Sequence, residues 1–245
     1  MKLRNSYIQV RRELDGELTF GGDQGFFKME TKDIDAEKKS QSGCGIVALA
    51  DTFLYLSSWK KSFVGTWMES YVNHALTEVQ YRAYYNQIYY MLGGVSLRNG
   101  ASGLKLARGF NRLARQQHIN LKGRWAFSGK KILSRIEQML EKDIPVILCV
   151  PKMVGKKVKE HKLGFYQYSE RELVQKTAIS AHYVVVTGIN MLSEMEQYGV
   201  NTSEKRTLLE ISSWGKKYYI DWQEYKDFID THFLGTILGN ILYIR

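Results

Sequence analysis

The stretch Gly43-Cys44-Gly45-Ile46-Val47-Ala48-Leu49-Ala50 begins the segment that organises this 245-residue chain. From Cys44 to about Ser58 nearly every side chain is apolar or small, which predicts a buried helix with the cysteine in its first turn. Unpaired N–H groups at a helix start lower the pKa of a thiol, and only the thiolate is a good nucleophile. The position of Cys44 therefore indicates a reactive thiol.

More helices follow this segment in the first half of the chain. Thr66-Trp67-Met68-Glu69 has the spacing of a capping box and predicts the start of a long tyrosine-rich helix that stops near Gly93-Gly94. Apolar residues recur at helical spacing from Gly103 to Gln117, and again in a segment that begins at Ser128. The first half is thus expected to be helical.

The pattern changes to short apolar runs at Ile144-Pro145-Val146-Ile147-Leu148-Cys149-Val150, which predict a buried strand. Four more strands are predicted at 182–189, 206–211, 217–220 and 236–244, with one short helix at 222–229. A helical half followed by a β half indicates an α+β fold. We expect a single domain, with a strand-rich N-terminal extension at 1–43, a helical lobe at about 44–142 and a β lobe at about 143–245.

The formal charge of +10 is concentrated in one block. Residues 79–135 contain no acidic side chain and eleven cationic ones. Within this block the segment 105–115 forms a basic stripe on its helix, which can attract an anionic partner or serve only as a solvated face. The long basic segment 152–177, which joins two predicted strands, is expected to border the active cleft and to influence substrate choice.

Several classes of protein do not fit the composition. No apolar run is long enough to span a bilayer, so no transmembrane segment is expected. No secretory signal follows Met1, so a cytoplasmic location is the default, or a secreted one if a leader was trimmed. Two cysteines cannot form a disulfide framework, and five scattered histidines give no metal signature, so neither a metal nor another cofactor is expected.

Two later blocks supply partners for Cys44. His182 begins the apolar run His182-Tyr183-Val184-Val185-Val186, and a further strand ends in Ser212-Ser213-Trp214-Gly215. With the cysteine helix, these blocks resemble the papain-like cysteine peptidases, most closely the bacterial branch that includes the double-glycine, or bacteriocin-processing, peptidases. The resemblance implies a two-lobed fold in which the cysteine helix packs against an antiparallel sheet. It also implies hydrolysis of a peptide or protein substrate through a Cys-His thiolate-imidazolium dyad.

The same resemblance assigns roles to individual residues. Cys44 would be the nucleophile, and His182 the general base and then the general acid. Ser212 would orient the imidazole, where the family uses an amide or a carboxylate. Apart from the resemblance, Trp214 is expected either to cover the histidine ring or to pack as an ordinary core residue. Gln41 would complete the oxyanion hole with the backbone N–H of Cys44, although the family's glutamine commonly lies about six residues before the cysteine. Gly43 and Gly45 would line the site.

Other chemistries remain open beside this one. An acyltransferase that uses the same thioester would have the same sequence features. A non-catalytic binding module would use the basic surface for an anionic partner, and the serine at 212 is the kind of substitution that a decayed site carries.

Asp51, two turns after Cys44, either lies behind the site or reaches solvent, and Cys149 is expected to be an inert buried thiol. The remaining histidines are expected to be surface or packing residues: His74, His118, His161 and His232. The oligomeric state does not follow from the sequence.

Overall fold

A computed structural model describes residues 1–28, 35–72, 75–152, 162–170, 172–193, 205–231 and 234–245. The helices in these ranges are α1 (Ala36–Ser42), α2 (Cys44–Ser57), α3 (Glu78–Met91), α4 (Gly103–Gln116), α5 (Ile132–Glu141), α6 (Trp222–Asp230) and α7 (Gly235–Leu238). The strands are β1 (Val10–Arg11), β2 (Leu76–Thr77), β3 (Gly123–Trp125), β4 (Val146–Val150), β5 (Leu163–Ser169), β6 (Glu172–Ile179), β7 (His182–Ser193), β8 (Lys205–Ser213), β9 (Lys216–Asp221) and β10 (Ile241–Ile244). None of the helices described is both long and apolar enough to cross a membrane.

The fold is α+β, as predicted, and its main element is an eight-stranded sheet. The strand order is β3-β10-β4-β7-β8-β9-β5-β6, and every neighbouring pair is antiparallel. The helix α2 packs on the central strand β7. This contact brings the start of the cysteine helix next to the start of the histidine strand.

The helix α2 is buried almost throughout its length, as the apolar run predicted. It begins at Cys44 and ends at Ser57, within a residue of the expected end. Phe53 stacks on Phe110 of α4 with ring centroids 4.7 Å apart, so the apolar face of the helix predicted from Gly103 also contributes to the core. A helix that is apolar on all sides fits this interior position between the sheet and other helices.

The tyrosine-rich helix starts later than predicted. Thr66 forms no side-chain cap, and Trp67–Tyr71 is a short 3₁₀ helix. The capping box is instead made by Thr77, whose hydroxyl accepts from the N–H of Gln80 while the Gln80 amide oxygen accepts from the N–H of Thr77. Two segments with the same spacing competed, and the reciprocal hydrogen bonds formed at the second. The helix ends before Gly93, whose φ of 71° stops it as expected.

Most other predicted elements are confirmed, with two exceptions in the second half. The run 236–244 is not one strand, because α7 occupies Gly235–Leu238 and only Ile241–Ile244 pairs in the sheet. The segment 152–177 contains β5 and most of β6, which form an antiparallel hairpin. Residues 153–161 and 171 of that segment lie outside the described residues.

The N-terminal extension is not rich in strands. Within residues 1–28 and 35–43 it contains one two-residue strand, β1, one 3₁₀ helix and α1. It packs along the domain instead, because the N–H of Leu3 donates to the carbonyl of Thr187 and that of Arg4 to the Asp143 carboxylate. Hydrogen bonds to the rest of the chain replace the sheet that alternation alone suggested.

The helical and β halves are not separated cleanly by residue number. Strand β3, from the first half, is an edge strand of the large sheet, and α6 and α7 lie in the second half. The buried apolar side chains form one cluster that runs from Tyr7 to Ile244. The core is therefore shared by both halves.

Candidate active site

Cys44 is the first residue of α2 and is partly exposed. The nearby backbone N–H groups of Tyr183, Gly45 and Cys44 favour the thiolate and act to lower the pKa of the thiol. Burial has the larger effect and raises the pKa of the Cys44 thiol. The thiol is therefore neutral at pH 7 when it is considered by itself.

His182 is the first residue of β7 and is buried. Its Nε2 lies 2.8 Å from the Oγ of Ser213, at the end of the neighbouring strand. Burial lowers the pKa of His182 to about 3, so the imidazole is neutral at pH 7. A neutral imidazole has one donor nitrogen and one acceptor nitrogen, which is the state that a general base requires.

Trp214 covers the imidazole ring. The two rings stack with centroids 4.4 Å apart and planes inclined by 22°. Trp214 and Gly215 form the two-residue turn between β8 and β9, with φ values of 49° and 68°. These left-handed conformations suit the twist of a tight hairpin, but they are unusual for a tryptophan. The turn therefore holds the indole over His182 at some cost in backbone strain.

The cysteine and the histidine line the same small pocket, although 138 residues separate them in the sequence. The pocket measures about 10 Å³, which is room for about one water molecule. Its other walls include Gln24, Ser213 and Trp214. Packing of α2 on β7 thus places a thiol, an imidazole and a carboxamide around one water-sized space.

Ser212 does not occupy the position that the resemblance assigned to it. Its hydroxyl donates to the carbonyl of Phe20 at 2.7 Å, whereas the hydroxyl of Ser213 contacts the imidazole. Successive residues of a strand point to opposite faces, so only one of the two serines can face the ring. The residue that touches His182 is therefore Ser213.

The glutamine that lines the small pocket is also different from the predicted one. Gln41 is exposed on α1, and its amide donates to the Glu37 carboxylate at 3.1 Å. Gln24 lines the small pocket; its amide donates to the carbonyl of Ser40 at 2.8 Å, and its Oε1 is buried without a partner. Sequence reasoning passed over Gln24 because it lies 20 residues before Cys44, in a glycine-rich segment without periodicity.

The glycines beside Cys44 are required by packing and do not line the pocket. A Cβ atom at Gly43 would lie 2.2 Å from the carbonyl oxygen of Lys39 and 2.5 Å from the Tyr85 hydroxyl. A Cβ atom at Gly45 would lie 3.1 Å from the Tyr183 ring. The small residues let α1 and β7 approach the start of α2 closely.

Asp51 does not reach solvent and is one of the residues that line the small pocket. The residue is 1% exposed, and its carboxylate accepts from the Tyr81 hydroxyl at 2.8 Å and from the N–H of Gly22 at 2.9 Å. Burial raises its pKa to about 6, against the lowering effect of these hydrogen bonds. Asp51 thus ties the N-terminal extension to α2 at the wall of the small pocket.

A larger outer cleft, of about 510 Å³, opens beside the small pocket and shares Cys44 and His182 with it. Its walls are formed by the segment 97–104, Trp125, Phe127, the end of β4 and α7. Gln41 lies on this cleft rather than in the small pocket. An elongated ligand in the outer cleft would reach the sulfur of Cys44.

Other residues singled out in the sequence do not line the small pocket. Cys149 is buried in β4, and burial raises its pKa to about 12. His118 is exposed, and His74, His161 and His232 lie outside the described residues. Within the described ranges no group of three or more histidine, cysteine or acidic side chains is arranged to hold a metal ion.

Comparisons of this chain with protein-family models, with curated proteins and with solved structures find no match.

Proposed function

We propose that this protein is a papain-like cysteine peptidase in which Cys44 attacks a peptide carbonyl and His182 transfers the proton. One observation carries the proposal: Cys44 at a helix start and the ring of His182 line the same water-sized pocket. The antiparallel sheet against which α2 packs supports the papain-like part of the proposal. A buried histidine with a polar partner and an aromatic cover also fits a catalytic base.

The proposed reaction starts from a neutral pair. In the tautomer in which Nε2–H donates to Ser213, Nδ1 is the acceptor that can take the thiol proton of Cys44. The thiolate then bonds to the peptide carbonyl carbon, and the carbonyl oxygen becomes an oxyanion. His182 returns the proton to the amine as the C–N bond breaks. Water, deprotonated by His182, then hydrolyses the thioester and restores the thiol.

The oxyanion needs donors that already point at it. The backbone N–H of Cys44 supplies one, because the first N–H groups of a helix have no partner within the helix. The Gln24 amide supplies the second in this proposal. An amide nitrogen carries two hydrogens, so Gln24 can keep its hydrogen bond to Ser40 while it donates to the substrate.

Ser213 acts as a positioning residue in this mechanism. A hydroxyl fixes the direction of the imidazole, but it carries no charge with which to stabilise an imidazolium. The depressed pKa of His182 agrees with that weak support, because only desolvation affects it. We therefore expect the thiolate–imidazolium ion pair to form only during attack, and both Cys44 and His182 to be neutral before it.

A non-catalytic binding module is the second candidate. The raised pKa of Cys44 and the lowered pKa of His182 favour it, since both groups remain neutral. In this alternative Cys44 is an ordinary thiol, and loss of it has no functional consequence.

The deciding experiment is alkylation of Cys44 by iodoacetamide across pH 5 to 10, followed site by site by mass spectrometry. We expect alkylation in the parent protein that persists below pH 7 and falls steeply in His182→Ala. Cys149 serves as an internal control, since its buried thiol is expected to react only slowly. His118→Ala controls for loss of an exposed histidine.

The alternative outcome is equally clear. A Cys44 that titrates above an ordinary thiol, with the same profile in His182→Ala, would refute the peptidase proposal and favour the binding module. A reactive Cys44 justifies a screen of peptide libraries for cleavage. Addition of an amine acceptor to that screen separates hydrolysis from acyl transfer.

A further inference from the structure

The outer cleft has an apolar rim. Five of the exposed large apolar side chains of the chain surround it: Leu97, Leu104, Phe127, Ile237 and Leu238. The residues that line it include two cations, Arg98 and Lys152, as well as His182. No acidic residue lines it within the described part of the chain. Exposed apolar clusters of this kind mark binding sites rather than ordinary surface.

A second cavity, of about 580 Å³, lies farther along α4. Four of its eight lining residues are cationic: Arg108, Arg115, Lys122 and Arg245. None of these four makes a salt bridge to a carboxylate among the residues described. The cavity therefore presents four cationic side chains that form no ion pair with a described carboxylate side chain, which favours an anionic ligand.

The two cavities lie along the same exposed face of α4, which carries Leu104, Arg108, Asn111 and Arg115 in that order, and we call this face with its two cavities the groove. At the outer cleft, Gly103 contacts the ring of Trp125, and Leu104 follows it on the exposed side of the helix. One turn later Arg108 lines the second cavity, and Asn111 hydrogen-bonds the backbone of Gly123 on β3. The exposed side of α4 thus runs without interruption from apolar to basic residues.

We propose that this groove binds the substrate itself: a peptide segment with a large apolar side chain near the scissile bond and acidic side chains about five residues away. This inference rests on the proposed peptidase function. Leu104 and Arg115 are about 16 Å apart along the helix axis, from about 1.5 Å per residue. An extended peptide covers about 3.3 Å per residue, so about five residues span that length.

A nucleic acid fits the groove less well than an acidic peptide. Its phosphates would extend along the whole groove, including the end next to Cys44, where the rim is largely aliphatic. Single strands are bound by several aromatic platforms on which bases stack, whereas four of the five exposed apolar side chains of this rim are aliphatic and one, Phe127, is aromatic. The combination of an apolar end and a basic end matches a peptide that carries both kinds of side chain.

The test measures binding in Cys44→Ala, so that it does not depend on turnover. The probes are fluorescein-labelled decapeptides that contain one leucine and three glutamates, with the glutamates centred five residues from the leucine. One peptide has the glutamates on the N-terminal side of the leucine and another has them on the C-terminal side. Matched peptides carry glutamine for glutamate, or place the glutamates beside the leucine. Fluorescence anisotropy gives the affinity at low and at moderate salt. We expect one spaced glutamate peptide to bind more tightly than its glutamine match, and salt to weaken that binding.

The double variant Arg108→Ala/Arg115→Ala, made in the Cys44→Ala protein, is expected to bind the spaced peptide up to about tenfold more weakly, as follows from the loss of two exposed ion pairs. The matched control is Lys61→Ala/Lys226→Ala, which removes two exposed lysines elsewhere and should leave the affinity unchanged.

Equal affinity for glutamate and glutamine peptides, or for the double variant and the control, would overturn the inference. Tight binding of polyuridylate RNA that depends on Arg108 and Arg115, without peptide binding, would overturn it in favour of a nucleic-acid surface. The alkylation profile of Cys44 is measured separately. An unreactive thiol with intact peptide binding would refute the peptidase proposal alone and leave an acidic-peptide binding groove.

Discussion

The neutral state of His182 makes the folded protein sensitive to acid. Burial lowers the pKa of its imidazole from 6.5 to about 3, so the unfolded chain binds a proton near pH 6.5 that the folded protein refuses until far lower pH. Stability is therefore lost as the pH falls below 6.5. At one pKa unit per about 1.4 kcal/mol, the free energy of unfolding decreases by about 2 kcal/mol between pH 7 and pH 5 through this group alone.

Asp51 opposes this effect and must be separated from it. Its pKa is raised to about 6, so the folded protein gains about 1 kcal/mol over the same pH range through that carboxyl group. The net change in the parent is small, and the informative quantity is the difference between the parent and His182→Gln. In this variant, the decrease of about 2 kcal/mol in the free energy of unfolding that comes from His182 should be absent, whatever the stability of the variant at pH 7.

The assay is urea unfolding followed by tryptophan fluorescence at pH 7, 6 and 5, with His118→Gln as the control for an exposed histidine. The unfolding free energy of the parent minus that of His182→Gln should fall by about 2 kcal/mol as the pH falls from 7 to 5. Parallel pH dependences in these two proteins would refute the claim that His182 is kept neutral by burial. That result would also remove the argument that the Cys44–His182 pair is neutral before it reacts.

Three further predictions test the surroundings of the site. The Asp51 carboxyl group alone lowers the unfolding free energy by about 2 kcal/mol as the pH rises from 4 to 7, opposite to the effect of His182. Asp51→Asn should lack this contribution, so its unfolding free energy should rise with pH by about 2 kcal/mol more than that of the parent, and urea titrations at pH 4 and pH 7 measure the difference. In Trp214→Gly, which removes the indole from the imidazole, the pKa of His182 should rise toward 6.5 in an NMR titration, and an unchanged value would show that the ring does not desolvate it. Gly43→Ala should lower the stability by about 1–3 kcal/mol in thermal melts, since its Cβ meets the carbonyl of Lys39. An unchanged melting temperature would mean that α1 yields at no cost.

The secondary structure could largely be predicted because its signals are local. The apolar run after Cys44 and the alternation in the later strands fix which segments are helix or strand, wherever in the fold they lie. Two of the errors, the start of the tyrosine-rich helix and the missed hairpin of β5 and β6, have a local origin as well. Thr66 and Thr77 offer similar caps, and only the hydrogen bonds around Gln80 decide between them. The hairpin of β5 and β6 was passed over because its strands are polar on much of their surface.

The sequence by itself determined the α+β class, the helix that begins at Cys44 and the strand that begins at His182, because short-range periodicity and the glycines beside the cysteine encode them. Only the tertiary structure decided which residues meet there. Whether Ser212 or Ser213 faces the imidazole depends on strand register, and a shift of one residue reverses the facing side. The choice of Gln24 over Gln41 depends on how the N-terminal extension packs across α2. These contacts join segments far apart in the chain, and no local pattern specifies them.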